Sequence, residues 1–434
     1  MRKERYLSEE DRYKLDVDLN PKMRIAYIAP YQGPTLMERR PILRNLALAG
    51  NVKIELIAAL LRRHQHDVEV LSQGAVVERG PKYYPAFSEP TPLDSRIPVH
   101  YASALPVPYV SGLWSSQATL ALFRERHRAS PFELVIIYNL ARPQLECARF
   151  ASDHLGLPVV VEYEDDAFVE LSGRNKQGLR VRWQFRGAKR ILDSVAGCVA
   201  VSPFLLSRFP TSIPRLLLRG VVSEEILSFR KQAAHEKRNW VAFSGTLFRS
   251  KGLEPLIRAW TALDLPGWEL HITGHGELAE KLRKMASNDS SIVFHGLLDR
   301  TEYTRFLSKA RIGINPHDLS ETPGNVFAFK IVEYLAAGAH VITTPMGTVE
   351  PELERGITYM TDNMAETIAA TLQRVIVERL FERTAAEAAE DAYGPVAVAN
   401  SLNKLVSDAV LRNRGRSVPR TGSAKTYASP DERP

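Results

Sequence analysis

The segment VAFSGTLFRSKG, residues Val241–Gly252, joins an apolar strand pattern to a loop and then to a helical pattern. Gly245 begins the loop, Arg249 and Lys251 lie within it, and Gly252 permits the turn into the helix. Glycine lets backbone approach an anion closely, cations neutralise that anion, and a helix N-terminus adds positive potential. The spacing therefore fits an anion-binding loop, and it fits equally well an ordinary strand–helix connection with solvated cations.

Strand and helix patterns alternate on both sides of this segment. Downstream, strands are predicted at 240–244, 268–273, 292–294, 312–314 and 341–344, with helices at 253–262, 278–286, 300–309 and 328–337. Upstream, strands are predicted at 24–29, 67–71, 134–138, 158–162, 197–201 and 215–218, with a helix at 52–63. This alternation predicts an α/β protein with mostly parallel, doubly wound sheets, in which ligands bind at the carboxyl ends of the strands.

The alternation falls into two series, separated by a polar segment at 229–238. We therefore expect an arm (1–22), an N-terminal Rossmann-like domain (23–230), a C-terminal Rossmann-like domain that includes the C-terminal helix (231–411) and a basic tail (412–434). Residues 74–112, rich in Pro, Tyr and Ser, are expected to form an irregular insertion. Two such domains normally enclose a ligand-binding cleft.

Composition is that of a soluble globular protein, with 44% hydrophobic and 25% charged residues. No run of about 18 apolar residues is present, so no membrane-spanning helix is expected. The polar N-terminus does not resemble a signal peptide, and we expect a cytoplasmic protein. Cys147 and Cys198 lie in apolar segments, which favours buried reduced thiols over a disulfide or a metal site.

The net charge of +7 is unevenly distributed. The tail from Arg412 to Pro434 has six basic and two acidic residues, and therefore carries +4 of it. Its Ser, Thr, Pro and Gly content is typical of disorder. The remaining chain is nearly balanced, so specific nucleic-acid binding is not expected and is kept only as a minor alternative.

Two further strand ends carry glycine-rich turns. Gly274 and Gly276 follow one predicted strand in the sequence ITGHGE, a short G-x-G pattern with low specificity by itself. His295 and Gly296 end the next strand in VFHG, where a base would lie against loop backbone. We interpret His295 as a structural residue or a pocket wall in preference to a proton-transfer group.

A fourth segment, Glu321–Gly338, reads ETPGNVFAFKIVEYLAAG. Turn residues lead into an amphipathic helix, and Gly338 follows it where a C-terminal glycine would end the helix. The free amides of the helix start would face the cleft. Within the helix, Glu333 would accept hydrogen bonds from a ribose diol or would be a solvated helix residue.

The order of these four segments resembles the C-terminal domain of glycosyltransferase family 4. The resemblance covers Val241 to Pro351, and the N-terminal half matches more loosely, through strand placement and Gly33. It implies the GT-B fold, with two Rossmann-like domains facing a central cleft. It also implies a retaining transferase that needs no metal ion or other cofactor and uses a nucleoside-diphosphate sugar as co-substrate.

The resemblance also implies roles for individual residues. Gly245, Thr246 and Lys251 align with the loop that binds the donor diphosphate. Thr246 stands where the family has an arginine, and Arg249, three residues later, is a candidate to replace its charge. Gly33 aligns with the N-terminal loop glycine near the donor phosphates.

In the fourth segment, Glu333 aligns with the glutamate that holds the donor ribose. Asn325 stands where the family has the glutamate that contacts the transferred sugar; its amide still hydrogen-bonds a hydroxyl but has no negative charge. The amides of Val326 and Phe327 would meet the β-phosphate and the sugar. Gly274, Gly276, His295 and Gly296 complete the expected donor site.

The expected acceptor side lies in the N-terminal half. The sequence VEYEDD ends a strand there, and we expect Glu164 or Asp165 to contact the acceptor, or one carboxylate to cap the next helix. The segment Arg174–Arg190 then has seven basic residues, no acidic residue, and Trp183 and Phe185 between them. It fits a membrane surface, an anionic lipid-linked acceptor, nucleic acid or a solvated helix face.

The sequence thus predicts sugar transfer from a nucleoside-diphosphate donor to a glycan, lipid-linked or small-molecule acceptor, with peripheral contact at the inner face of a membrane. The substitutions at Thr246 and Asn325 leave open a non-catalytic subunit of the same fold. An epimerase of the same fold remains a third interpretation.

Overall fold

The computed structural model describes residues 22–40, 48–74, 76, 80–165, 187–232, 237–320, 327–347 and 349–416. Two sheets organise these residues, one in each half of the chain. No helix in these ranges is both long enough and apolar enough to cross a membrane.

The N-terminal sheet has eight strands in the order β3-β4-β2-β1-β5-β6-β7-β8. The strands are β1 (Arg24–Ile28), β2 (Asp67–Ser72), β3 (Phe87–Pro90), β4 (Pro98–Tyr101), β5 (Leu134–Tyr138), β6 (Val159–Tyr163), β7 (Gly197–Ala200) and β8 (Arg215–Leu217). The helices are α1 (Pro34–Arg39), α2 (Leu48–Arg63), α3 (Ser111–Ala129), α4 (Arg142–Leu155), α5 (Ala188–Ser194) and α6 (Pro203–Leu206). Every strand pair is parallel except β3 with β4.

The C-terminal sheet has six parallel strands in the order β11-β10-β9-β12-β13-β14. They are β9 (Arg238–Ser244), β10 (Glu269–Thr273), β11 (Ile292–Gly296), β12 (Ala310–Asn315), β13 (His340–Thr343) and β14 (Ile357–Tyr359). The helices are α7 (Glu224–Gln232), α8 (Leu253–Thr261), α9 (Ala279–Met285), α10 (Arg300–Lys309), α11 (Lys330–Ala336), α12 (Pro351–Glu354), α13 (Ala365–Val377), α14 (Ala386–Tyr393) and α15 (Pro395–Arg416). Short 3₁₀ turns occur at Arg249–Lys251 and Leu380–Glu382.

Each sheet is covered by helices on both faces, as apolar strands buried on two sides require. The two predicted Rossmann-like domains are therefore confirmed as two doubly wound, mostly parallel sheets. In such sheets, the carboxyl ends of the strands form the ligand-binding edge.

The predicted irregular insertion at 74–112 is wrong in part. It contains β3 and β4, which extend the sheet by an antiparallel pair, with Val99 and Tyr101 fully buried. Both strands are four residues long and contain proline. Proline is tolerated at strand ends and edges, so these short strands resemble loop by composition alone.

Helix α15 also departs from the expected division of the chain. Its apolar residues Val398, Leu402, Leu405 and Val406 belong to the N-terminal core, with the strands of the first sheet. Helix α7, in contrast, packs on the C-terminal core through Ile226 and Leu227. The chain therefore crosses between the halves twice, and α15 extends as a helix through Arg412 to Arg416, into the predicted tail.

Both cysteines are buried and unbonded, as predicted. Burial raises the pKa of the Cys198 thiol to about 12, and that of Cys147 further. Both thiols are therefore protonated and packed as small apolar groups.

Candidate active site

Three loops at the carboxyl edge of the C-terminal sheet are joined by backbone hydrogen bonds. Gly245 N–H donates to the Thr273 carbonyl at 3.1 Å, and Leu247 N–H to the His275 carbonyl at 2.8 Å. Gly274 N–H donates to the Gly296 carbonyl at 2.8 Å. The loops after β9, β10 and β11 therefore form one continuous surface.

Glycine is required in this surface for close backbone contact. A Cβ at Gly274, where φ is +132°, would overlap the carbonyl oxygen of Gly245. A Cβ at Gly276 would crowd the backbone of Leu247 in the same way. The two predicted donor-site glycines thus act by bringing the β10 loop against the β9 loop.

Two lysines converge on this surface. The Nζ of Lys330, at the start of α11, lies 3.1 Å from the position of a Cβ built on Gly245 and 4.0 Å from the Phe243 ring centre. That Nζ is shielded from solvent and has no hydrogen-bond partner among the described residues. Lys251 Nζ lies 2.9 Å from Nε2 of His317, which follows β12. The site therefore presents one lysine beside the exposed Gly245 and a second lysine beside His317.

Burial and mutual repulsion lower the pKa values of these side chains. Burial, aided by the charge of Lys251, lowers the pKa of Lys330 to about 7. Burial and the two lysines lower the pKa of His317 to about 3, so its ring is neutral. Burial lowers the pKa of Lys251 as well. A bound anion would reverse these shifts, which is the behaviour of a pre-formed anion site.

Glu333 lies one turn along α11 from Lys330. Its Oε2 accepts a hydrogen bond from the Tyr303 hydroxyl at 2.9 Å, and burial raises its pKa. Ser244 lies 3.2 Å from the same Tyr303 hydroxyl. Among the described residues no hydrogen bond is made to Glu333 Oε1, so Glu333 retains one oxygen that can accept from a ligand.

The other loop residues have more peripheral positions. Arg249 is exposed on the 3₁₀ turn, and Thr246 is half-buried beside Gly245. A Cβ at Gly252, where φ is +69°, would overlap the Pro316 carbonyl, so this glycine packs the turn against the loop after β12. Arg249 is therefore exposed to solvent, whereas the Nζ of Lys330 is shielded from it. Lys330 was not among the site residues predicted from the sequence.

Phe327 is the first described residue after 320, and Asn325 and Val326 lie outside the described residues. The Arg219 guanidinium lies 5.0 Å from the Phe327 ring centre and donates to the Tyr393 hydroxyl at 2.8 Å and to Glu350. Arg219 comes directly after the N-terminal sheet, so the crossing between the halves contacts the loop expected to hold the donor.

His295 belongs to a chain of polar side chains along β10 and β11. Its Nε2 lies 2.8 Å from Nδ1 of His271, whose Nε2 lies 3.1 Å from Glu269. Glu269 accepts from His271, so Nδ1 of His271 is the acceptor for His295. Burial lowers the pKa of both imidazoles. The role of His295 as a structural residue or a pocket wall stays a prediction.

Gly33 lies in the N-terminal half, where its surroundings are acidic. Its N–H donates to the Tyr101 hydroxyl at 2.9 Å, and that hydroxyl donates to Glu89 at 2.5 Å. A Cβ at Gly33 would overlap the Glu89 carboxylate, which also accepts from the Thr35 N–H at 3.0 Å. Glycine is therefore required here for packing against Glu89 and Tyr101, and the start of α1 is already capped by a carboxylate.

The predicted acceptor residues lie at the carboxyl end of β6. Glu164 pairs with Lys53 and accepts from the Tyr138 hydroxyl at 3.0 Å. Asp165 is exposed, and its backbone N–H donates to Asn139 Oδ1 at 3.1 Å. Neither carboxylate caps a helix within the described residues.

Glu162 and Lys53 support this cluster and were not among the predicted site residues. Glu162 is buried, accepts from the Tyr27 hydroxyl and lies 3.2 Å from Lys53. Burial raises its pKa to about 7, and the neighbouring Glu164 contributes. The available signal was a charged residue inside an otherwise apolar strand, since such residues are rarely buried without a partner.

No group of three or more His, Cys, Asp or Glu side chains suited to a metal ion occurs in the ranges that the structure describes. Comparison with known families identifies the family of the chain. A model described as "Glycosyl transferases group 1" matches residues 238–378, and one described as "Glycosyl transferase 4-like domain" matches residues 50–213. Together they span more than half of the chain.

The chain belongs to the family 4 glycosyltransferases. This confirms the resemblance and the predicted activity, a nucleotide-sugar glycosyltransferase. The transferase interpretation is therefore preferred over a non-catalytic subunit. A comparison with curated proteins gives no match.

Solved structures share the GT-B fold of this glycosyltransferase. Sucrose-phosphate synthase from Thermosynechococcus elongatus is 16% identical, with 88% of this chain and 98% of that chain covered and a TM-score of 0.63. HepE from Anabaena, solved with UDP and glucose, is 15% identical, with 89% and 99% covered and a TM-score of 0.60. A glycosyltransferase from Rickettsia africae is 13% identical, with 90% and 99% covered and a TM-score of 0.61. At these identities the likeness concerns the fold.

Proposed function

We propose that this glycosyltransferase retains the anomeric configuration and uses fixed cations, without a metal ion or other cofactor, to stabilise its diphosphate leaving group. The observation that carries the proposal is the pair Lys251 and Lys330. Both ammonium groups lie at the carboxyl edge of the donor sheet, and neither is hydrogen-bonded to a carboxylate among the described residues.

The leaving group accounts for the need for two cations. When the bond between the anomeric carbon and the phosphate oxygen breaks, the β-phosphate gains negative charge. Lys251 and Lys330 would stabilise that charge from fixed positions, which avoids reorganisation during the reaction. Arg249 would add long-range attraction from the rim, because it is exposed.

Retention follows from the geometry of attack. The acceptor oxygen forms its bond to the anomeric carbon on the face from which the diphosphate leaves. The acceptor proton passes to a phosphate oxygen, so no side-chain base is required. Asn325, predicted to hydrogen-bond the transferred sugar, would contribute orientation without charge.

The rest of the donor would extend along the same surface. Glu333 Oε1 would accept from a ribose hydroxyl, and the base would lie near His295 and Gly296. HepE binds UDP and glucose, which makes UDP-glucose the first donor to test. Donors with other sugars and other bases are then compared with UDP-glucose in the same assay.

The acceptor is proposed to be a glycan, a lipid-linked molecule or a small molecule whose hydroxyl meets Glu164 and Asp165. We also propose membrane contact through Arg174–Arg190, of which only the last residues are described. Arg190, in α5, pairs with Asp153 at 3.2 Å. The other basic residues of that segment, except Lys189, lie outside the described residues.

Substitution of Lys251 tests the proposal. Lys251→Ala should lower kcat/KM about 100-fold or more with the fold intact, because one preorganised cation is lost. Lys284→Ala, an exposed lysine of α9 in the same domain, is the matched control and should behave as wild type. Wild-type kinetics for Lys251→Ala would contradict the proposal.

A second measurement addresses the metal ion. Product should form at an unchanged rate in excess EDTA, and the anomeric configuration of that product, determined by NMR, should match the donor. Loss of activity in EDTA with recovery on added Mg²⁺ would contradict the proposal that no metal ion is needed. Inversion at the anomeric carbon would contradict the proposal that the configuration is retained.

A further inference from the structure

An exposed apolar surface lies at the outer end of the N-terminal sheet. We call it the aromatic shelf, and it is formed by Tyr83, Tyr109, Val110, Leu113 and Trp114. Tyr109 is fully exposed, and Tyr83, Leu113 and Val110 are 54%, 49% and 42% exposed. Val110 precedes Leu113 and Trp114 by three and four residues at the start of α3, so the three side chains share one face.

The aromatic shelf is rigidly built. Tyr84 and Ala104 exchange two backbone hydrogen bonds of 2.8 and 2.9 Å, and the Gly80 N–H donates to the Pro106 carbonyl at 3.0 Å. The Tyr83 and Trp114 rings meet edge to face with centres 6.0 Å apart. The two chain segments are therefore fastened together, and their side chains are held outward without the entropy loss of a flexible loop.

Tyr109 is held in an unusual backbone conformation. Its φ is +64°, a left-handed value that bulky side chains rarely adopt. Here the conformation presents an aromatic ring entirely to solvent. Such strain is retained where a side chain must be displayed in a particular direction.

The two segments that form the aromatic shelf carry no acidic residue. From Ser95 to Arg124 the sequence contains no Asp or Glu, and neither does the stretch from Gly80 to Ser88. Lys82 Nζ lies 5.1 Å from the Tyr84 ring centre, and the first turn of α3 has no acidic residue. Because these segments have no carboxylate, they do not themselves repel anionic phosphate groups.

We propose that the aromatic shelf is a membrane-contact surface that inserts into the headgroup region of a lipid bilayer. Tyrosine and tryptophan favour this region because their rings are apolar and their polar atoms remain hydrated. Val110 and Leu113 add aliphatic area, which a bilayer accommodates. A sugar-binding platform would instead need carboxylate or amide partners for hydroxyls, and the surface offers none from Ser95 to Arg124 other than Gln117.

The position of the shelf explains its use. Ser103 and Trp114, linked by a hydrogen bond of 3.3 Å, follow the carboxyl end of β4, and that edge of the sheet also carries Glu164. Contact there would bring the acceptor half of the cleft to the bilayer. The link between membrane contact and the acceptor rests on the proposed function. Binding of the shelf to a bilayer does not depend on glycosyl transfer.

Vesicle flotation of the full chain tests the surface. The variant Tyr109→Asn with Leu113→Ser keeps a residue tolerant of the left-handed backbone and removes two apolar side chains. Val377→Ser with Leu411→Ser, which removes two side chains of 72% and 65% exposure elsewhere, is the control. Binding to phosphatidylcholine vesicles containing phosphatidylglycerol should fall at least tenfold in the first variant and remain unchanged in the second.

Trp114 provides a second measurement, made in a Trp183→Phe background that removes the tryptophan of the Arg174–Arg190 segment. Brominated lipids should quench the fluorescence of Trp114 on binding, and Trp114→Phe in this background should remove most of that quenching. Trp268→Phe, which replaces a buried tryptophan of the C-terminal half, should retain it. Quenching that survives Trp114→Phe, or equal flotation of both double variants, would overturn the inference.

Stabilisation by UDP-glucose in thermal unfolding separates this result from the donor proposal. Loss of flotation with donor stabilisation unchanged supports the membrane surface. If the shelf variant binds vesicles as wild type but loses turnover of a soluble glycan acceptor, the surface is a sugar platform and the inference is wrong. Absence of wild-type flotation would also overturn it, while leaving the donor site intact.

Discussion

Lys251 donates a hydrogen bond to Nε2 of His317 at 2.9 Å, and this bond fixes the proton on the opposite ring nitrogen. Nδ1 of His317 then donates to Asn315 Oδ1 at 3.2 Å, and Asn315 Nδ2 donates to Thr343 Oγ1 at 3.0 Å. The residues after β12 and at the end of β13 thus hold a lysine that belongs to the β9 loop. His317 is a positioning residue for the proposed diphosphate site.

Replacing His317 should therefore weaken donor use without removing a cation. We expect His317→Ala to raise the KM for donor and to lower kcat, together by about tenfold to 100-fold in kcat/KM. His317→Gln, which can accept through its amide oxygen, should recover part of the loss. Steady-state kinetics with varied donor measures both, and equal defects in the two variants would argue against positioning.

Donor affinity should depend on pH through Lys330. Its pKa is about 7, and a bound diphosphate requires the protonated amine. Binding therefore takes up a proton above pH 7, and affinity should weaken by up to about tenfold per pH unit there, whereas it should be nearly flat below. Calorimetric titration with a nucleotide sugar in buffers of different ionisation enthalpy measures the uptake. Lys330→Met should abolish it.

The same lysine should lower stability in the absence of donor. The folded chain holds this proton less tightly than the unfolded chain, because the pKa falls from 10.5 to about 7 on folding. The cost to stability is complete below pH 7 and disappears as pH rises towards 10.5. Lys330→Met should therefore raise the unfolding free energy at neutral pH by roughly 1–4 kcal/mol. Denaturant unfolding at neutral and alkaline pH measures the gain, which should shrink at alkaline pH.

Gly274→Ala should separate the loops that form the donor surface. The added Cβ would overlap the Gly245 carbonyl, so we expect a loss of about 3 kcal/mol or more in stability together with weaker donor binding. Gly267→Ala is the matched control, since φ there is also positive, at +78°, and nothing lies within 4 Å of the new Cβ. It should cost only about 1 kcal/mol. Similar losses in both variants would contradict the close-contact explanation.

Glu164→Gln should separate acceptor from donor recognition. The change keeps a hydrogen-bond acceptor for the Tyr138 hydroxyl and removes the charge paired with Lys53. We expect the acceptor KM to rise about tenfold while donor affinity remains unchanged. Separate titrations of donor and acceptor test this, and a matching loss of donor affinity would remove Glu164 from the acceptor side.

Sequence periodicity predicted most strands and the helix that carries Lys330 and Glu333. It could not show that Lys330 reaches the backbone of Gly245, because that contact depends on how α11 packs against the β9 loop. Similarly, Gly274 was expected to face the donor, whereas its missing side chain makes room for a carbonyl of the neighbouring loop. Contacts between residues that are far apart in the sequence cannot be predicted from the local pattern of apolar and polar residues.

The assignment of α15 shows the same limit on a larger scale. Its apolar residues, such as Leu402 and Leu405, indicate that one face is buried, but an amphipathic pattern does not name its partner. Short strands such as β3 are a different case, because four residues that include proline and an exposed serine do not establish a period.

The return of α15 to the first core has a consequence for biosynthesis. Val398, Leu402 and Val406 complete an apolar layer whose members outside α15 lie between Met23 and Val221 and are made much earlier. During translation, part of the apolar core of the N-terminal half therefore remains exposed to solvent until α15 has been synthesised. The second half can close its own core first, so the order in which the halves mature should be the reverse of the order in which they leave the ribosome.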